Sequence, residues 1–174
     1  MREDPLTRRR FLKTGAAETA VAGAVGLLGA PAPVRAANLN SRLRVGFIGS
    51  GGRANTHLGI VLRLQQEGVP VEAAAVCDVY KLNLDRFADR IEKTAGSEPR
   101  KSGDYRDMLN DSGVDAVVIA TPDHWHARQV IDALKAGKHV YCEKPMTNTA
   151  EEARLVDAAW QKSRKVMQVG VQRT

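Results

Sequence analysis

Cysteine is scarce in this chain of 174 residues, and only Cys77 and Cys142 could form a disulfide. Aromatic residues make up just 5 % and never alternate with cations, and the basic excess of +6 forms no stripe. Nucleic acid is therefore not indicated as a partner. No uninterrupted apolar run is long enough for a comfortable bilayer span. The nearest, Ala16 to Ala30, is short and is broken by Glu18 and by glycines, which argues against a permanent transmembrane helix. Repeats, low-complexity tracts and internal linkers are lacking too. His124 and His126 stand two apart, but no third ligand follows at a recognisable zinc spacing, so no metal is expected.

What the chain does have begins at its N-terminus. Thr7-Arg8-Arg9-Arg10-Phe11-Leu12-Lys13 precedes the Ala/Gly-rich stretch, and Val34-Arg35-Ala36 closes the segment. Paired arginines, a modest apolar core and a small-residue cleavage pattern predict a twin-arginine export signal over residues 1–36, cut after Ala36. The expected destination is the periplasm or the extracellular space, with an uncleaved membrane tether as the alternative. Without residues 1–36 the chain keeps 20 basic and 17 acidic residues, a net charge of +3.

Residues 37–174 open on Leu43 to Ile48, a short apolar run that reads as a buried parallel strand. It leads into Gly49-Ser50-Gly51-Gly52-Arg53-Ala54, a G-x-G-x-x-A spacing. Glycines there allow a sharp turn and the approach of a pyrophosphate, while the amides from Ser50 to Arg53 face the phosphates at a helix N-terminus. The same turn also occurs in α/β domains that hold no ligand. The supporting context is a second strand, Val71 to Cys77, ending at Asp78. A carboxylate there accepts hydrogen bonds from ribose hydroxyls and repels a 2′-phosphate, which favours NAD over NADP despite nearby Lys81. Capping a helix over Val79 to Ala95 is the competing role for Asp78.

Strand-like and helix-like segments then alternate, predicting an α/β, Rossmann-type doubly wound parallel sheet of about six strands. Helices are expected over Asn55 to Glu67, Val79 to Ala95, Asp104 to Asn110, His124 to Ala136 and Thr149 to Lys162. The later strands are Arg100 to Ser102, Asp115 to Ala120, His139 to Cys142 and Lys165 to Val169. In the usual strand order Cys77 and Cys142 end strands three spacings apart. That puts their Cα atoms about 14 Å from each other, beyond disulfide reach. Two buried free thiols are expected.

Ligands in such sheets bind beyond the carboxyl ends of the strands. Two of these ends carry Thr121-Pro122-Asp123-His124-Trp125-His126 and Glu143-Lys144-Pro145. With Gly49, Gly51 and Asp78, these motifs make residues 43–174 resemble the Gfo/Idh/MocA oxidoreductases, the family of glucose–fructose oxidoreductase and inositol dehydrogenase. The resemblance implies that Thr121 and Pro122 line the cofactor and that His126 lies near the nicotinamide-side ribose. It also implies that Glu143 bonds that ribose and that Lys144 lies beside the nicotinamide and the substrate hydroxyl. Physically, Lys144 suits proton transfer, because desolvation in a closed crevice lowers a lysine's pKa; a surface cation at a strand end is its plainer role. Trp125 is expected to pack on the sheet edge.

The resemblance further implies a sugar or polyol substrate, held mostly by a second α/β domain that normally doubles the family's length. Nothing after Thr174 supplies that domain, so the expectation is a cofactor domain of a fuller enzyme, with negligible turnover alone. Secreted relatives include glycosidases that use bound NAD for transient oxidation and elimination, and a non-catalytic binding module is a third reading. The association surface belongs to the second domain, so oligomeric state is not readable. The twin-arginine route carries folded proteins into a compartment with little free nucleotide. A tightly held cofactor, recycled in place, is therefore expected. The mature protein purified from that compartment should carry an absorbing nucleotide, and a preparation without one counts against this expectation.

Overall fold

The computed structural model describes residues 42–171; the expected export segment lies outside them. In chain order the elements are β1 (Leu43–Ile48), α1 (Gly52–Gln66), β2 (Val71–Cys77), α2 (Lys81–Ala95) and β3 (Arg100–Ser102). Then come α3 (Tyr105–Asn110), β4 (Ala116–Ile119), α4 (His126–Lys135), β5 (His139–Glu143), α5 (Ala150–Ser163) and β6 (Met167–Gly170). All strand pairs are parallel, in the order β3-β2-β1-β4-β5-β6. This is the doubly wound arrangement expected from the alternation of segments.

The central strands β1, β2 and β4 read as largely apolar runs because helices cover both faces of the sheet. On one face Phe47 and Val76 meet Leu58 of α1 and Phe87 and Ile91 of α2. The Phe47 and Phe87 rings lie 5.1 Å apart, tilted by 58°. On the other face Ile48, Val117 and Ile119 meet Met108 of α3 and Val130 and Leu134 of α4. Helix α1 buries Ala54, Leu58 and Leu62 at every fourth position, and α2 buries Leu84, Phe87, Ala88 and Ile91; both are the stripe of a helix lying on a sheet. Cys77 and Cys142 are buried and unpaired, three strands apart in the order.

Boundaries shift where side chains compete with the helix. Helix α2 starts at Lys81 rather than Val79, because the Asp78 carboxylate accepts the Tyr80 amide at 2.9 Å and holds residues 79–80 in a turn. Asp78 is thus not the cap of α2, whose N-cap position is Tyr80. The stretch expected to open a helix at His124 is a 3-10 turn, Asp123–Trp125, followed by α4. Strand β5 continues one residue beyond Cys142 and takes in Glu143. Strand β6 begins at Met167 because Arg164, at φ 55°, turns the chain first.

One backbone position controls how β1 enters α1. Gly49 sits at φ +88°, and a Cβ there would lie 2.8 Å from the Ala120 carbonyl at the end of β4. The position forbids a side chain both conformationally and by contact. Gly49→Ala should lower unfolding stability by about 2 kcal/mol or more, read by urea denaturation; an unchanged midpoint would contradict the tightness of this turn.

Candidate functional site

The glycine turn joins β1 to α1 at the carboxyl edge of the sheet, where β1 and β4 are neighbours and the strand order reverses. The Gly49 amide donates to the Cys77 carbonyl at 2.8 Å. The Ser50 amide and hydroxyl both donate to Asp78 Oδ2, at 2.8 and 2.6 Å. Asn55 Nδ2 occupies the Ser50 and Gly51 carbonyls at 3.0 and 3.1 Å. Helix α1 has Gly51 at its N-cap position, with no side-chain cap and no acidic residue in its first turn. The amides of Gly51, Gly52 and Arg53 meet no acceptor among the described residues. Open space lies over the Cα atoms of Gly51 and Gly52.

This corrects the expected donor set. Ser50 is buried and its amide and hydroxyl are already bonded to Asp78, so the open amides run from Gly51 to Arg53. Asp78 has two tasks as well. A carboxylate accepts about four hydrogen bonds, and Ser50 and Tyr80 supply three of them. One further donor can be accepted without breaking a bond. The Lys81 ammonium bonds Asp85 Oδ2 at 2.6 Å.

Beside Asp78 lies a cleft of about 360 Å³, bounded by Gly49, Tyr105, Arg106, Thr121, Pro122 and Trp125. Trp125 is 44 % exposed at this cleft rather than packed on the sheet edge. Thr121 also borders a second cleft, of about 370 Å³, with Arg53, Asp123, His126, Glu143 and Lys144. The two clefts meet at Thr121 and follow the strand ends. A larger groove of about 770 Å³ lies between α4 and α5, away from these groups.

Glu143 is the centre of the second cleft. Its side chain is 4 % exposed, and Oε1 accepts both Arg53 Nε at 2.7 Å and His57 Nε2 at 2.6 Å. Oε2 accepts the Lys144 amide at 3.2 Å. Burial pushes this carboxyl up, but the bonds from Arg53, His57 and Lys144 outweigh it and bring its pKa down to about 2. The His57 ring also stands edge-on to Tyr141, 4.9 Å between centroids. Glu143 is thus already bound within the protein, where sequence reasoning expected it to face a ribose. His57 carried no expected role, although it lies one helical turn after Arg53 on α1, as i and i+4 neighbours do.

His126 is buried, with Nδ1 2.7 Å from the Pro145 carbonyl and Nε2 2.9 Å from the Thr121 carbonyl. A neutral imidazole carries one N–H, so the ring donates to one of these carbonyls while its other nitrogen faces the second. The ring sits between the end of β4 and the Lys144–Pro145 loop. Lys144 is exposed, and no carboxylate lies within ion-pair distance of its ammonium among the described residues. The dry surroundings that sequence reasoning called on for this lysine are not supplied by residues 42–171. Burial pushes the Cys142 thiol up to about 12, which keeps it protonated and inert. His124 is exposed, 3.8 Å from Asp123, and does not share a site with His126.

Open amides at a helix start, space above two glycines, a carboxylate at the end of β2 and continuous clefts fit a dinucleotide. Fold and site therefore define an NAD-binding Rossmann domain. Residues 43–171 match the family described as "Oxidoreductase family, NAD-binding Rossmann fold". The chain belongs to this family, the Gfo/Idh/MocA oxidoreductases. It is 40 % identical over 122 residues to a glycosyl hydrolase family 109 protein of Shewanella baltica. It is 38 % identical over 122 residues to an alpha-N-acetylgalactosaminidase of Shewanella oneidensis. Each alignment covers 67 % of this chain and 26 % of the relative, so the chain spans about a quarter of these curated relatives. Among solved structures it is similar to the WlbA dehydrogenase of Bordetella pertussis in complex with NADH and UDP-GlcNAcA. That match has 29 % identity and a TM-score of 0.63, over 74 % of this chain and 36 % of that one. The apo scyllo-inositol dehydrogenase of Lactobacillus casei matches at 26 % identity and a TM-score of 0.66, over 75 % and 37 %.

The lowered Glu143 pKa gives a testable pH dependence. A carboxyl depressed from 4.5 to about 2 on folding stabilises the fold above pH 4.5, and the contribution disappears as pH falls towards 2. The difference corresponds to about 3 kcal/mol. Glu143→Gln should flatten the stability profile between pH 4.5 and 2, measured by denaturant unfolding, relative to wild type. Parallel profiles would show that the carboxylate is not held as described.

Proposed function

We propose that the chain is the cofactor-binding part of an exported oxidoreductase that moves hydride between a sugar or polyol carbon and NAD. The observation that carries this reading is the pairing of three open amides at Gly51, Gly52 and Arg53 with Asp78 across the turn. NAD, when bound, supplies the hydride acceptor. The amides and the start of α1 would hold its pyrophosphate, and Asp78 the adenosine ribose. Thr121 and Pro122 would line the cleft between the two halves. Lys144 Nζ would hold or accept the proton of the substrate hydroxyl, its charge favouring the developing alkoxide. Further protein surface has to close over Lys144 to exclude water, and a second, sugar-binding domain would supply it. Export by the twin-arginine route is supported by Arg8-Arg9-Arg10-Phe11-Leu12 and the Ala36 cleavage pattern.

A second reading, NAD-dependent glycoside cleavage, is favoured by the names of the relatives at 38–40 % identity. Both readings start with hydride removal from a sugar carbon, and they part afterwards.

Titration of the full chain with NAD and NADP tests the shared premise. NAD should bind at least about tenfold tighter, since a 2′-phosphate would confront the Asp78 carboxylate; equal affinities, or none, would remove the basis of the reading. Protein purified from the exporting cells then separates the two outcomes. Release of nitrophenol from a nitrophenyl N-acetylgalactosaminide without accumulation of NADH identifies the glycosidase, whereas net NADH from a free sugar identifies the dehydrogenase.

A further inference from the structure

We infer that His57 is a positioning residue for the dinucleotide: through Glu143 it fixes the Arg53 guanidinium and the first turn of α1 against the end of β5. The inference rests on the reading that the cleft along the strand ends holds NAD. His57 and Arg53 are four residues apart on α1 and converge on one oxygen, Glu143 Oε1, at 2.6 and 2.7 Å. Their partner lies 86 and 90 residues away in the chain, on β5. The contact therefore joins the element that presents the open amides to the strand that leads into Lys144.

The chemistry of each partner explains the arrangement. Glu143 is buried, so its charge requires donors that water cannot replace. His57 supplies one from a ring that is itself 13 % exposed. Arg53 uses only Nε on Glu143, and its two terminal nitrogens form no hydrogen bond among the described residues. The guanidinium is planar, so pinning Nε restricts the direction of the two terminal nitrogens and their four N–H groups. Arg53 is 41 % exposed and borders the same cleft as Lys144. A guanidinium so held is suited to a phosphate oxygen, here the phosphate on the nicotinamide side of the dinucleotide. His57 acts on that phosphate only through Glu143 and Arg53.

The test compares NAD with AMP, which carries the adenosine half and lacks the second phosphate, by calorimetric titration of the full chain. His57→Leu should weaken NAD about tenfold and leave AMP binding as in wild type. His57→Gln, which keeps a side-chain N–H, should recover most of that loss. NAD affinity unchanged in His57→Leu, equal losses for NAD and AMP, or a Gln variant as weak as the Leu variant would each overturn the inference. Should His57→Leu fail to fold, Arg53→Met carries the same expectation, with NAD weakened and AMP retained, and wild-type-like NAD binding there overturns it. A wild-type chain with no affinity for NAD would overturn the parent reading and this one together.

Discussion

The close passage of Gly49 over the end of β4 is the constraint on which the rest of the site depends. With a positive φ and no Cβ, the chain clears the Ala120 carbonyl and turns directly into α1. A longer or looser turn would move the helix start away from the strand ends. Asp78 then locks the turn from the β2 side by accepting the Ser50 amide and hydroxyl. Two neighbouring strands thus hold one turn, and the amides left over include those of Gly51, Gly52 and Arg53. The binding surface is what remains once the turn has satisfied itself.

Much of this was legible in the chain. Mostly apolar runs of four to seven residues separated by helix-period segments marked the strands other than β3, whose Arg100-Lys101-Ser102 is short and polar, and Cys77 and Cys142 lie three strands apart as the order requires. The G-x-G-x-x-A spacing placed the turn, since it reports a local backbone need. Boundaries were less legible where a side chain takes a backbone partner, as Asp78 does with the Tyr80 amide. The Glu143 cluster was invisible for a different reason: it is assembled across nearly 90 residues of chain. A signal did exist in Arg53 and His57, four apart on the helix that follows the glycine turn. Nothing local says which carboxylate they share. Only the strand order, which sets β5 two places from β1, narrows the choice.

The two expectations that changed most, for Ser50 and His126, changed for one physical reason. Both are buried polar groups, and buried polar groups are nearly always bonded within the protein. Ser50 is bonded to Asp78, and each His126 ring nitrogen lies against a backbone carbonyl, one of which accepts its N–H. A motif position read from sequence carries no record of whether its donor is already engaged. Lys144 shows the converse. Its place in Glu143-Lys144-Pro145 suggests a desolvated amine, yet residues 42–171 leave it exposed.

The charge balance of the cleft gives the Glu143 cluster a second significance. A pyrophosphate brings negative charge to an edge already lined by Asp78, Asp123 and Glu143. Like charges even about 8 Å apart cost about 2 kcal/mol at an effective dielectric near 20. An uncompensated Glu143 would therefore oppose the ligand that the amides attract. Arg53 and His57 on Oε1 remove most of that opposition. The depressed pKa shows that the carboxylate stays ionised and still holds its donors. Asp78 is treated differently: only hydrogen-bond donors without net charge meet it. Arginine and histidine donors thus gather on the carboxylate at the end of β5, and uncharged donors on the one after β2.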